Sequence, residues 1–510
     1  MTRRIRRTVL AALAVASLGA ASSQTTAPID RIREGDLRAD LFTLASDAMR
    51  GREAGTPDEL NASMWLADRA RAAGLQPAGD NGTYFQFFPL ERLRVSASSP
   101  VSLGGKSLQM GRDAFTDAIV QATVDAPIVA ATPDAIPTTG LAGKALVVRY
   151  APGASPSPMP SQSNPNAPSG LRLWMRGIQR AVAPQNPAAI VAVVPDEDKD
   201  QWDRTIYSFP RGTYWLDPDG TAPPRVAPRG VPLLYVHESA LGGPPSTLAA
   251  DARLVASIST DTFEYPSVNI IAKVPGSDPA LASEYVLFSA HQDHDGVRYP
   301  VNGDAIWNGA DDNASTAVAL LAIGRAVSAA PLRRWALFIW HGAEERGRMA
   351  SRWYVKHPTV ALTSIVACLN GDMIGRNDPA TAALLGATPP HRNSPELVEA
   401  ALAANAAVTK FTIDSSWDDP KHPEGWYYRS DHLSYARAGV PALFFTTLLH
   451  PDYHTPADNP DRIDTAKLTK MTTWMYATGR DVGNADRRPA VDPDFKLERC
   501  RDSTGNYCGG

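Results

Sequence analysis

The sequence predicts an α/β fold, a mixed, largely parallel sheet flanked by helices, with a mainly β region inserted into it. Two observations carry this. From residue 263 onward, short apolar runs rich in β-branched and aromatic residues alternate with helical stretches, the pattern of strands covered by helices. Between residues 96 and 262 the chain turns to Pro, Ser, Gly and Ala with short β-type runs.

In chain order, residues 1–23 come first. A basic start (Arg3, Arg4, Arg6, Arg7) precedes an apolar run from Thr8 to Ala21 and small residues around Ala20–Ser23. This is the layout of a secretory signal peptide, and the run is short for a membrane span; an N-terminal helix of the mature fold is the alternative. Arg6-Arg7-Thr8-Val9-Leu10 also fits a loose twin-arginine signal, which leaves the export route open. No other stretch reaches 18 uninterrupted apolar residues, so no integral membrane span is expected after cleavage, and the protein is expected to be secreted or periplasmic.

Residues 24–95 form the N-terminal part of the α/β domain. Leu37, Leu41 and Leu44, then Leu60, Met64, Ala67 and Ala70, recur at helical spacing, and Tyr84–Phe88 reads as a strand. Residues 96–262 carry the β-type runs Ala145–Tyr150, Ala189–Val194 and Val231–Val236, with Ala151–Gly170 an exposed Pro/Ser loop. Residues 263–485 continue the α/β domain: strands at Val268–Val274, Tyr285–Ala290, Trp335–Ile339, Ser364–Leu369 and Ala442–Thr446, with helices at Ser315–Ala329 and Pro395–Ala406. Residues 486–510 are a polar tail. Its Cys500 and Cys508 either close a short disulfide loop or stay free thiols, whereas Cys368, in an apolar run, reads as a core thiol.

The 510 residues carry 50 Lys plus Arg against 54 Asp plus Glu, a formal charge of −4. That balance excludes general nucleic-acid binding by charge and leaves the oligomeric state open.

The polar residues that follow the strands carry the chemistry. One strand runs into His291-Gln-Asp293-His294-Asp295, another into His341-Gly-Ala-Glu344-Glu345, a third into Asn370-Gly-Asp372, and the last leads to His450 and Tyr453-His454-Thr-Pro-Ala-Asp458. Asp311-Asp312-Asn313 opens a helix. Each piece alone has an ordinary reading as a surface turn, a solvated pair or a helix cap. Together they stand at the carboxyl ends of strands, where open α/β sheets bind ligands. Histidines and carboxylates without cysteine suit a pair of borderline divalent ions such as Zn²⁺. Such a pair, with a second carboxylate free as base, is equipped for amide hydrolysis. The H-E-x-x-H and G-x-S-x-G motifs of other hydrolases are absent from the sequence.

The segments SAHQDH (289–294), NGADDNAS (308–315), AEERG (343–347), NGDMIG (370–375), RSDHLSYARAGVP (429–441) and YHTPADN (453–459) resemble the secreted co-catalytic dizinc aminopeptidases. These are relatives of bacterial leucyl aminopeptidase in the family that also contains glutamate carboxypeptidase II and the transferrin receptor. The resemblance implies a zinc-peptidase fold with two Zn²⁺ per chain, ligated by His291, Asp312, Glu345, Asp372 and His454. Asp312 would bridge, one ion taking His291 and Asp372, the other Glu345 and His454. Glu344 would be the general base, Asp293 the partner of His291, and the Asp312–Asn313 peptide bond cis. Asp431 and His432 would support the site, and Asp311 stays outside the ligand set. Thr316 stands where the family usually has glycine. LAGKALVVRY (141–150), AAIVAVV (188–194) and VPLLYVHE (231–238) are similar to the protease-associated domain inserted in these enzymes, either a lid or a passive insert.

The implied function is a secreted metal-dependent exopeptidase hydrolysing the N-terminal bond of a peptide substrate. Two alternatives stay open. A carboxypeptidase or dipeptidase of the same fold needs a basic pocket; Arg346, Arg348, Arg376 and Arg429 lie near the motifs, although loop arginines usually face solvent. A metal-free receptor-like binding protein would have lost ligands.

Overall fold

The computed structural model describes residues 27–497 apart from 117, 153–168, 207–208, 210, 218, 220–227 and 302. The expected signal peptide, most of the 151–170 loop, and Cys500 and Cys508 lie outside the described residues. Among the described residues no helix is long and apolar enough to cross a membrane.

The apolar runs after residue 266 become the strands β1 (Ser267–Val274), β2 (Tyr285–His291), β3 (Trp335–His341), β4 (Ile365–Gly371), β5 (Thr381–Leu385) and β6 (Ala442–Thr446). They pair in the order β1-β3-β2-β4-β6-β5. Gln76–Pro77 and Phe85–Phe88 add antiparallel to β1, and Thr412–Ile413 lies beside β5. β3, β2, β4 and β6 run parallel, while β1 pairs antiparallel with β3 and β5 antiparallel with β6. The sheet is therefore mixed with a parallel centre, and the parallel strands end along one edge. There His291 pairs in register with His341, and Gly371 with Phe445.

The strands lack polar/apolar alternation because both faces are covered. Val286, Leu287, Phe288, Ser289 and Ala290 are all fully buried. Val286, Phe288 and Ala290 pack on one side with helices α1 (Glu34–Leu44), α3 (Thr316–Ala329) and α4 (Thr465–Asn484); Leu287 packs on the other with Tyr354, Tyr435 and Val440. Helix α3 is mostly apolar and buried along nearly its whole length, with Arg325 paired to Asp40, as suits a helix wedged between a sheet and an outer helical layer. Helix α2 (Pro57–Ala72) starts with Thr56 accepting from the Glu59 backbone N–H, Pro57 at its first position, and Asp58 and Glu59 in its first turn, a well-formed helix start.

The middle region enters and leaves side by side: Glu91–Val95 pairs antiparallel with Thr260–Glu264. Between them lies a sheet that includes Ala122–Ala131, Ala145–Arg149, Ala189–Val194 and Leu233–His237 in parallel succession. It is mainly β, as the residue pattern suggests, but also carries the helices Gly170–Val182 and Lys199–Ile206. The first buries Leu171, Met175 and Val182, a face whose single-turn spacing is diluted by the arginines between.

Candidate metal centre

Three parallel strands and the long β6 loop deliver the polar groups to one place. His291 is the last residue of β2, Asp372 directly follows β4, and Glu344 and Glu345 stand in the turn after β3. Asp312 lies in the bend that opens α3, and its peptide bond to Asn313 is cis. His454 comes from the loop after β6 and has a left-handed backbone (φ 50°).

The five residues that the resemblance implies as ligands converge. Asp312 lies between two groups. Its Oδ1 is 3.2 Å from His291 Nε2, which is 3.4 Å from Asp372 Oδ2. Its Oδ2 is 3.0 Å from His454 Nε2, which is 3.1 Å from Glu345 Oε2. His294 joins the second group: its Nδ1 is 2.8 Å from Glu345 Oε1 and 3.9 Å from Asp312 Oδ2. Two sets thus form, His291/Asp312/Asp372 and His294/Asp312/Glu345/His454, each with ligand atoms within 4.8 Å of one another.

The electrostatics of this cluster ask for cations. Burial and Glu345 push the Asp312 carboxyl up, but His291 and His454 outweigh them and hold it at about 2. Burial likewise works against ionised Glu345, and His454 and His294 bring it well below the usual carboxylate range. Burial lowers and Glu345 and Asp312 raise His454, with a net rise to about 10. Without another positive charge, the imidazoles must serve as counter-ions to the carboxylates. His291 Nε2 and Asp372 Oδ1 are also buried without a hydrogen bond, although buried polar atoms rarely stay unpaired. A mixed imidazole and carboxylate set of this kind fits divalent zinc.

Asp293 faces His291 and also reaches the turn after β3. Its carboxylate is 3.7 Å from His291 Nδ1, and its main-chain carbonyl faces the same nitrogen at 3.2 Å. The carboxylate oxygens accept the backbone N–H groups of Glu344 (3.0 Å) and Glu345 (3.4 Å). Being in a sharp exit from β2, Asp293 points across to the β3 turn and orders the residues that carry both glutamates. Asp458 does the same for the α3 bend, accepting the backbone N–H of Asp311 and Asp312. Asp311 accepts from the Gly375 N–H at 2.7 Å and lies 3.4 Å from His450, away from both sets. His341 also stays out of the site. It is fully buried between Asn269 (2.6 Å) and Tyr435 (3.1 Å), and burial lowers it to about 4. Asp431 and His432 are fully buried, His432 stacked on Phe444.

Two arginines near the motifs are not the solvent-facing loop residues expected. Arg346 is nearly buried and pairs with Asp295 at 3.0 Å; Arg348 donates to the Tyr428 carbonyl at 2.7 Å. Arg376 pairs with Asp452 and Arg429 with Glu424.

Sequence reasoning missed His294 and Arg52. His294 stood in the HQDH segment, where a histidine three residues after another at a strand exit was a usable signal. Arg52 is fully buried and donates to the carbonyls of Leu44, Gln292, Asn308 and Gly309 at 2.7–3.0 Å. It has no local signature, since its partners come from three separate segments.

The α/β sheet thus carries two adjoining imidazole–carboxylate sets at its carboxyl edge, each of which could hold a metal ion. Residues 269–478 match the model of peptidase family M28. A probable leucine aminopeptidase of Arthroderma otae is 28% identical over 215 residues, covering 40% of this chain and 54% of that protein. Leucine aminopeptidase 1 of Trichophyton rubrum is 28% identical over 234 residues, covering 42% and 57%. The chain thus spans little more than half the length of these curated relatives. Among solved structures, a zinc aminopeptidase from Bacillus subtilis superposes with a TM-score of 0.55 at 16% identity, over 91% of this chain and 99% of that one. An aminopeptidase from Aneurinibacillus sp. strain AM-1 superposes with 0.51 at 17% identity, over 92% and 98%. These likenesses carry the fold.

Proposed function

We propose that this protein is a secreted zinc-dependent exopeptidase that removes the N-terminal residue of peptides, using two Zn²⁺ ions per chain. The observation that supports it most is the position of Asp312, whose two oxygens face separate imidazole–carboxylate sets. His291 and Asp372 would hold one ion, Glu345 and His454 the other, and Asp312 would be shared between them. When bound, such a pair lowers the pKa of a water and polarises a peptide carbonyl.

Glu344 is the proton carrier. Burial pushes its carboxyl well above the usual range, reinforced by Asp431 and Glu345 and opposed by His291. A carboxylate of raised basicity accepts the proton of the attacking water and returns it to the leaving amine. Asp293 keeps Glu344 in place through the backbone hydrogen bond of 3.0 Å. The middle region is read as a protease-associated insert, and residues 1–23 as the export signal.

The likeness to fungal leucine aminopeptidases supports the aminopeptidase reading over a carboxypeptidase. The pairing of Arg346, Arg376 and Arg429 with carboxylates supports it too. The presence of all five ligand residues speaks against a metal-free binding protein. The test is a panel of free-amine, N-blocked and C-blocked peptides with and without a chelator. Cleavage of free-amine peptides only, lost on chelation, is expected; hydrolysis of N-blocked peptides overturns the reading. Sequencing the mature N-terminus tests secretion, and a retained Met1 refutes it.

A further inference from the structure

We infer that His294 is a further protein ligand, which makes the two metal positions unequal: one has four side chains from this chain, the other three. This rests on the dinuclear reading above and goes beyond its five-residue ligand set.

Three observations place the imidazole. Its Nδ1 points into the second set, 2.8 Å from Glu345 Oε1 and 3.9 Å from Asp312 Oδ2, on the same side as His454 Nε2. The ring is fully buried and packs edge-on to His454, with centroids 5.5 Å apart, so it has no route to solvent. It is also seated against Gly309: a Cβ there would lie 2.3 Å from His294 Cγ. The NGADDN segment that presents Asp312 therefore also leaves room for this ring.

The main chain fixes the approach. The His294 N–H donates to the Arg52 carbonyl at 3.3 Å, and its own carbonyl accepts from Arg346 at 3.3 Å. Both main-chain groups of His294 are thereby held, which fixes the point from which the side chain projects.

Two imidazoles and two carboxylates are a complete tetrahedral set for zinc at bond lengths of roughly 2.0–2.1 Å. Zinc sites with four protein ligands are closed and structural in character, whereas three leave a position for water or substrate. The His294/Asp312/Glu345/His454 position is thus the tighter one. The His291/Asp312/Asp372 position is the one with room for an exchangeable group.

The competing arrangement is that Nδ1–H only donates to Glu345 Oε1 and orients it. His294→Asn separates the two, because the Asn amide can donate to Glu345 but is a poor zinc ligand. Wild type, His294→Asn and His294→Ala are dialysed against zinc buffers of graded free concentration and metal per chain is counted. Circular dichroism and melting of the metal-free proteins check folding. Wild type is expected to fill in two steps. Both variants should weaken the tighter step beyond the roughly 10–100-fold cost of a lost outer hydrogen bond. Cobalt-loaded wild type should show an intense tetrahedral absorption band that both variants lose. Wild-type zinc affinity in His294→Asn, or two indistinguishable steps in wild type, overturns the ligand assignment and leaves the dinuclear reading standing. Wild type that binds no metal overturns both.

Discussion

Arg52 donates from Nε to the main-chain carbonyl of Gln292 at 2.7 Å, across 240 residues of sequence, with its guanidinium fully enclosed. Its other donors reach the carbonyls of Asn308 and Gly309, so one side chain ties the loop of His291 and His294 to the loop of Asp312. Burial lowers its pKa to about 10, and the fields of Asp293, Asp458, Asp312 and Glu345 act in the opposite sense. Replacement by Met leaves several buried carbonyls unpaired and removes a cation from an acidic site. Arg52→Met is expected to lose about 3 kcal/mol or more of stability and, because the two ligand loops lose their tie, to weaken zinc binding despite the loss of a like charge beside the site. Melting curves and zinc titration check this; an unchanged midpoint would contradict the clamp.

Glu344→Gln keeps the shape of the side chain and removes the carboxylate proposed as the proton carrier. Turnover number should fall by about 10²–10⁴, with two ions still bound per chain by elemental analysis. Near-normal turnover removes Glu344 from the reaction.

Asp312→Asn alters the one carboxylate shared by both sets. Both ions should be lost together on dialysis, whereas Asp372→Asn should release mainly the ion on the His291 side. Equal, independent losses in both variants would argue against a bridging role.

Glu53 accounts for an acid-sensitive part of the stability. Burial raises its pKa, but Arg298, Arg92 and Arg346 bring it down from 4.5 to about 2. Arg298 lies 3.0 Å and Arg92 3.4 Å from its Oε1, which also accepts from the Tyr214 hydroxyl. Since the folded pKa is depressed, the stabilisation is present above pH of about 4.5 and is lost as pH falls toward 2; its size is about 3 kcal/mol. Glu53→Gln should be less stable than the parent at neutral pH, with the gap closing in acid. A gap independent of pH would show that Glu53 acts through packing alone.

The Glu53 cluster joins three parts of the chain. Arg92 and Tyr214 belong to the strands that flank and join the middle region, Arg298 to the segment after β2, and Arg346 to the Glu344–Glu345 turn. Asp295 adds ion pairs to Arg211 and Arg346. None of this was legible in the sequence. A lone arginine in a loop looks solvated, and its burial depends on carboxylates brought in from elsewhere by the fold.

The amino-acid sequence alone determined the strands and the residues at their ends. Val286–Phe288 and Ala336–Trp340 are apolar without alternation because both sheet faces are covered, and the polar groups after them are conspicuous against that background. His291, Asp312, Glu345, Asp372 and His454 could be named this way, with the motif resemblance assigning their implied roles. Only the tertiary structure decided that Asp293 turns to the β3 backbone, that His341 sinks into the core, and that His294 and Arg52 enter the site. The physical reason is that backbone periodicity and burial are local properties of a chain segment. The partner of a polar side chain is set by which distant segment supplies the complementary donor, acceptor or charge within about 3 Å, and neighbouring residues do not encode that.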